Sequence, residues 1–359
     1  MLPESEKLKP NEEVWALFTR KEEYAPKHLD GHKRFEYAQS NYKNNLEPEA
    51  SKFLIENGFR ARYPDNKKFA ICLTHDVDDI YPPIHHMLLS TLLSLKALDF
   101  NQLSQQVFWK FSDKWQSPYL NFRQIMEIER KFGAKSTFYF LATERDPVRF
   151  RYNIEDIADE LKYIVSNGWD VGLHVGYYSF DNHQDIIKEK MRLEKAIGKE
   201  IIGCRNHYLR FKVPDTWEIL AKAGFKYDAT FGYTDSVGFR NGMCHPFRPF
   251  NINSNSEINI VEIPLAIMEG TFFGHMKTDP TRALATVRTM IDQVAKYNGV
   301  LTILWHNVIF GFPYRQIWAD LYEEILRYCY DKNAWLTSAS EVYQWYCYNG
   351  YDSSNDSRI

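Results

Sequence analysis

The chain has 359 residues, 44% of them hydrophobic and 16% aromatic, so it can bury a large core and belongs with ordinary globular proteins rather than with disordered ones. Its 44 Lys and Arg stand against 47 Asp and Glu, a formal charge of −3, which excludes the basic stripe that phosphate backbones select; nucleic acid is not expected as a partner. No run approaches the roughly eighteen apolar residues of a transmembrane helix, so no membrane span is expected either.

Residues 1–66 are rich in charge and aromatic rings, with turn signals at Gly58, Pro64 and Asn66, and predict an N-terminal extension packed on a main domain over 67–350. The opening MLPESEKLKPNEEVWALF has no basic start followed by an apolar core, so it does not read as a secretory signal. Cys72, Cys204, Cys244, Cys329 and Cys347 are odd in number and scattered, without a CxxC pair, which argues against a disulfide framework or a cysteine zinc site. Both features predict a cytoplasmic location.

In chain order, KFAICLTHDVD predicts a strand, followed by a helical region through Trp115. Within that region, HHMLLSTLLSLKALDF is expected to bury the apolar face of an amphipathic helix, with a membrane-surface or lid helix as the alternative. The helix NFRQIMEIERKFG and the strand KSTFYFLAT follow, then the helix IEDIADELKYIVSNG, the strand WDVGLHVG, the helix HQDIIKEKMRLEKAIG and the strand IIGCRNHY. A helix at PDTWEILAKAG precedes strands at FKYDATFGY and INIVEIPLAIM. The helix TRALATVRTMIDQVAKYNG, the strand VLTILWHN, the helix IWADLYEEILRYCYDK and a closing segment AWLTSAS complete the domain before a polar tail over 351–359. Gly133, Gly168, Gly198, Gly224 and Gly299 each end a helical run before an apolar one, as a left-handed C-cap would. Repeated βα units imply a parallel sheet, and their number favours a (β/α) barrel, whose chemistry gathers at the C-terminal ends of the strands.

Those ends carry His75, Asp76, Asp78 and Asp79 after the first strand, His174 after WDVGL, Arg205 and His207 after IIGC, Asp228 after YDAT and His306 after VLTILW. Each alone has a plain reading as a helix cap or a satisfied core histidine. Together they suit a His and carboxylate site for a divalent metal with an open position for water.

The segments LTHDVDD, STFYFLA, VGLHVGYYS, GCRNHYLRF, YDATFGY and LTILWHN occur in the order of the conserved segments of the polysaccharide deacetylase superfamily, the NodB-homology or family 4 carbohydrate esterases. The resemblance covers residues 67–346 and looks most like a bacterial branch carrying HDVD and RxHYLRF. It implies a distorted (β/α) barrel and a metal-dependent deacetylase acting on an N-acetylated sugar or glycan precursor.

It also implies residue roles. Asp76 matches the catalytic base and Asp78 a metal ligand, although the family's two carboxylates are adjacent and Val77 separates these; Asp79 is a minor candidate. His174 matches the first histidine of the second motif, but the second position holds Tyr178, leaving the site one ligand short. His207 is the expected substitute and His183 its rival, with helix capping as the plainer role for the latter. Arg205 matches the arginine that orients the base, and His306 the general acid. Asp228 would either hold His306 in one tautomer or start a turn. Tyr208, Arg210 and Phe211 would shape a sugar-binding wall, the plainer alternative being that the LRF segment packs beneath the loop, and His245 would line the substrate pocket. The expected metal is Zn2+, with nickel, cobalt or iron as alternatives. Two other readings stay open: a glycan-binding protein without turnover, if Tyr178 is not compensated in space, and a hydrolase of a formyl amide or an ester.

Overall fold

A computed structural model describes residues 4–348 except 97, 99, 101–102 and 105–116. The expected helix through Trp115 runs into residues outside that description, and the tail over 351–359 lies wholly outside it. Three short helices, α1 (Glu4–Leu8), α2 (Glu12–Thr19) and α3 (Glu49–Glu56), precede the first strand, β1 (Ala70–Val77). There follow α4 (Ile84–Lys96), α5 (Phe122–Arg130), β2 (Thr137–Leu141), α6 (Ala158–Ser166), β3 (Asp170–Val175), α7 (His183–Ile197), β4 (Gly203–Asn206), α8 (Asp215–Lys222) and β5 (Tyr227–Asp228). A small hairpin, β6 (Phe250–Asn251) and β7 (Ser256–Glu257), leads to β8 (Val261–Glu262) and β9 (Leu265–Met268). The chain ends with α9 (Pro280–Lys296), β10 (Val300–Leu304), α10 (Gln316–Asp331), β11 (Trp335–Thr337) and α11 (Ala339–Tyr348).

The strands form one parallel sheet in the order β8-β5-β4-β3-β2-β1-β10-β9. Its two edges, β8 and β9, are neighbours in sequence, so the sheet curls round on itself as a distorted (β/α) barrel. The distortion has a visible source at β1. Its first residues, Ala70–Cys72, pair with β11, whereas its last four, Thr74–Val77, pair with β2. The expected single strand INIVEIPLAIM is broken in two, with Pro264 at the break. Proline has no N–H for a ladder, so β8 ends its pairing with β5 there and β9 begins its own with β10.

Two apolar layers hold this arrangement. One lies between the sheet and the outer helices and includes Phe18, Leu54 and Phe59 of the N-terminal segment. The other fills the barrel interior with Cys72, Tyr139, Tyr227 and Val261. The tyrosine rings fit because glycines face them: a Cβ on Gly172 would lie 2.5 Å from the Tyr139 ring. Four of the five expected left-handed caps occur, at Gly133, Gly168, Gly198 and Gly224. At the fifth site Asn298 takes the left-handed conformation (φ 50°), and Gly299 instead allows close packing on Cys244.

One helix reverses its expected orientation. α4 buries Ser90 and Ser94 and exposes Leu88 and Leu92, with His86 tied to the Tyr119 hydroxyl at 2.7 Å near its start. Among the described residues no helix is long and apolar enough to cross a membrane.

The N-terminal segment is locked to the barrel by charge as well as by packing. Buried Glu23 accepts from Arg20 Nε at 2.7 Å and from Arg240 Nε at 3.0 Å. Burial would raise its pKa, but Arg240 and Arg20 outweigh that and hold it below the usual range. Glu23→Ala leaves two buried guanidinium groups short of a partner and is expected to cost about 3–5 kcal/mol. Urea denaturation checks this, and an unchanged midpoint would exclude the lock.

Candidate metal centre and catalytic cleft

Alternation along β1 sorts the LTHDVDD motif. Thr74 and Asp76 face the barrel interior, where Arg205 Nη1 donates to both, at 2.8 Å to Thr74 Oγ1 and 2.9 Å to Asp76 Oδ1. Asp78, in phase with them, reaches the cleft beyond the strand. His75 is out of phase and enters the helix layer, its Nδ1 2.7 Å from the Trp305 carbonyl and its Nε2 2.9 Å from Glu129 Oε1. Asp79 is also out of phase and pairs with Arg149 and Arg151, both at 2.8 Å. Neither joins the cleft, which removes Asp79 as a candidate ligand and His75 as a rim residue.

Asp78, His174 and His207 converge, with one donor atom from each lying within 4.8 Å of the others. His174 Nε2 is 3.3 Å and His207 Nε2 3.2 Å from Asp78 Oδ1. The Arg205 carbonyl can only accept, so the hydrogen on His174 Nδ1, 2.9 Å away, points to it, and Nε2 is left to face the carboxylate. Asp78 Oδ1 is buried and, apart from the two Nε2 atoms that face it, has no hydrogen-bond partner. Burial would lower the His174 pKa, yet Asp76 and Asp78 outweigh it and raise that pKa. The site therefore attracts positive charge. A carboxylate and two imidazoles in this arrangement fit a divalent metal such as zinc.

His207 follows β4 directly, and its Nδ1 faces Asp146 Oδ2 in the loop after β2 at 3.3 Å, an ion-pair distance rather than a formed hydrogen bond. Asp146 is in turn 3.1 Å from Arg151 Nε. Tyr178, at the motif position where a histidine was expected, is 44% exposed and carries Arg145 over its ring. His183 opens α7 behind its cap, Asn182, and does not belong to the cluster.

Two further groups flank the cluster. Burial alone would raise the Asp76 pKa, but Arg205, with help from His174 and His306, lowers it. His306 donates from Nδ1 to Glu269 Oε1 at 2.7 Å, and its backbone N–H donates to the same oxygen at 3.1 Å. Burial opposes its charge, yet Glu269, then Asp78 and Asp76, push its pKa up to about 10. Glu269 thus occupies the role that sequence reasoning offered to Asp228. The latter accepts from Thr230 at 2.5 Å and faces Glu262, which accepts from Trp217 Nε1 at 2.7 Å. The signal for Glu269 was its place as the first residue after β9, a strand end that INIVEIPLAIM already marks because both stop at Met268.

The cleft has a volume of about 310 Å³ and is walled by Tyr208, Leu209, Met268, His275 and Arg34. Arg34 comes from the N-terminal segment, which no motif signalled. It donates to the Tyr208 carbonyl at 2.8 Å and steadies a residue whose φ of 61° is uncommon outside glycine. Two expected wall residues lie elsewhere. Arg210 is sandwiched between the Tyr177 and Phe180 rings and donates to the Tyr177 and His32 carbonyls, which ties the loop after β4 to the loop after β3. His245 is fully buried between Ser51 Oγ at 2.9 Å and the Asn298 carbonyl at 3.0 Å.

No protein-family model matches the chain, and no curated protein matches it. Solved structures do share its fold. A protein of Mycobacterium smegmatis, provisionally designated a polysaccharide deacetylase, superposes with a TM-score of 0.52 at 19% identity, covering 79% of this chain and 91% of its own. One from Pseudomonas aeruginosa PAO1, with the same provisional designation, gives 0.53 at 12% identity, covering 90% and 99%. At these identities the likeness is one of fold: the chain has the polysaccharide deacetylase fold.

Support of His207 by Asp146 has a measurable consequence. Asp146→Asn is expected to weaken zinc binding by about 10- to 100-fold in a chelator competition assay. Unchanged affinity would remove Asp146 from that role.

Proposed function

We propose that the chain is a divalent-metal-dependent hydrolase that removes an acyl group, N-acetyl in the first instance, from a sugar or surface-polysaccharide precursor, with zinc as its metal. The observation that carries this reading is the convergence of Asp78, His174 and His207 in the same cleft as an arginine-held carboxylate and a glutamate-held histidine. The polysaccharide deacetylase fold supports it. A glycan-binding protein without turnover is the weaker reading, because His207 stands beside Asp78 and His174 where Tyr178 does not reach.

Asp78, His174 and His207 would hold the ion. When bound, it supplies Lewis acidity and lowers the pKa of a water from about 15.7 toward 7. Asp76, kept ionised by Arg205, takes a proton as water attacks the acyl carbon. Arg205 has no freedom to leave this task, since it is wholly buried and also bonded to Thr74 and the Ala229 carbonyl. His306 keeps Nδ1–H on Glu269, so its Nε2–H is the proton available to the departing amine, which cannot leave as an anion. This apparatus does not itself select the acyl group, so a formyl amide or an ester remains within its chemistry.

Elemental analysis is the direct test: roughly one metal ion per chain in the wild type, lost in His207→Ala. No metal after zinc addition would overturn the mechanism. Asp76→Asn is expected to retain metal while kcat falls by about 10²- to 10⁴-fold. For Glu269→Gln, removing the carboxylate that raises the His306 pKa should move the alkaline limb of kcat/KM to lower pH. A limb that stays in place would exclude His306 as the acid.

A further inference from the structure

The catalytic rim bears an apolar surface that the cleft does not use. Most of the large apolar side chains exposed among the described residues sit in segments that leave the C-terminal ends of strands, the same end that carries the site. Leu88 and Leu92 of α4, 62% and 66% exposed, follow β1; Val148 and Phe150 follow β2; Met276 follows β9; Ile317 follows β10. The four-residue step from Leu88 to Leu92 aligns them on one side of α4, while Ser90 and Ser94 face the protein. A helix built only to cover its own barrel would do the reverse.

Among the described residues, charge on the same rim leans basic. Lys96 closes α4, Arg145 precedes Val148 in its loop and Lys277 follows Met276, all three exposed. The carboxylates of these segments are mostly engaged: Asp79 with Arg149 and Arg151, Asp146 with Arg151 and His207, Asp279 as the cap of α9, and Glu144 at 3.8 Å from Lys188. This basic fringe departs from a chain whose overall charge is −3.

We propose that this rim docks on an anionic lipid bilayer, with the α4 leucines and the neighbouring loop tips entering the headgroup boundary and the basic side chains meeting lipid phosphates. The apolar residues are spread over several loops around one end of the barrel, which suits a surface broader than a single peptide or helix. The docking does not depend on what the cleft catalyses. If the deacylase reading above holds, the sugars it meets are those held at a membrane surface.

Co-sedimentation of the full chain with phosphatidylglycerol-containing vesicles, beside pure phosphatidylcholine vesicles, tests this. The wild type should pellet with the anionic vesicles and be released by added salt. Leu88→Glu with Leu92→Glu should lower the bound fraction at least about tenfold, while Tyr330→Glu, at the far end of α10, should not. Circular dichroism and zinc content establish that the variants are folded, and they report on the cleft independently of docking. A wild type that stays in the supernatant, or a double variant that binds equally, would overturn the proposal. So would a dimer in sedimentation velocity that the double variant breaks without any vesicle binding, which would assign the surface to a second copy of the chain.

Discussion

Everything in the cleft depends on one buried cation. Arg205 lies inside the barrel with no access to water, where an unpaired charge would be prohibitive, so its surroundings are built to neutralise it through Nε and Nη1, while Nη2 meets no hydrogen-bond partner. Asp76 and Thr74 accept from Nη1, the Ala229 carbonyl from Nε, and the Tyr139 ring lies 4.6 Å from the guanidinium. Tyr139 has room only because Gly172 has no side chain. The side chain of Arg205 thus sets the position of the candidate base, and its carbonyl sets the tautomer of His174. Breaking the Asp76 pair by removing one partner carries a cost of about 3–5 kcal/mol, so stability and the proposed chemistry are bound together.

The same logic repeats for the other imidazoles, each supported by an oxygen from a different segment: His174 by a main-chain carbonyl, His207 by Asp146 and His306 by Glu269. Arg151 extends the network by holding both Asp146 and Asp79, so the carboxylate that misses the cleft still steadies the loop that faces a candidate ligand. Arg210 performs a parallel task beneath His207 and Tyr208. The RxHYLRF segment therefore reads as one candidate ligand, two wall residues and two arginines that fix them.

This also accounts for the departure from adjacent carboxylates. In an extended strand, positions two apart share a face, so Asp76 and Asp78 reach one cleft with Val77 turned into the apolar layer. His207 comes beside His174 from the next strand over, since β3 and β4 pair with His174 opposite Arg205, two residues before His207.

Much was legible in the sequence because it depends on neighbours along the chain. Strand alternation, glycine caps and polar strand ends were enough to indicate a βα barrel and to gather Asp76, Asp78, His174, Arg205, His207 and His306 in a wider set with His75, Asp79 and Asp228, which the resemblance to the polysaccharide deacetylases then narrowed. What stayed hidden depends on residues far apart in sequence. Whether Asp228 or Glu269 meets His306, whether His245 and Arg210 face a cleft or the core, and whether α4 turns leucines or serines inward are decided by strand order and curl. Local periodicity names the residues of a face, but only packing between distant segments decides what that face meets.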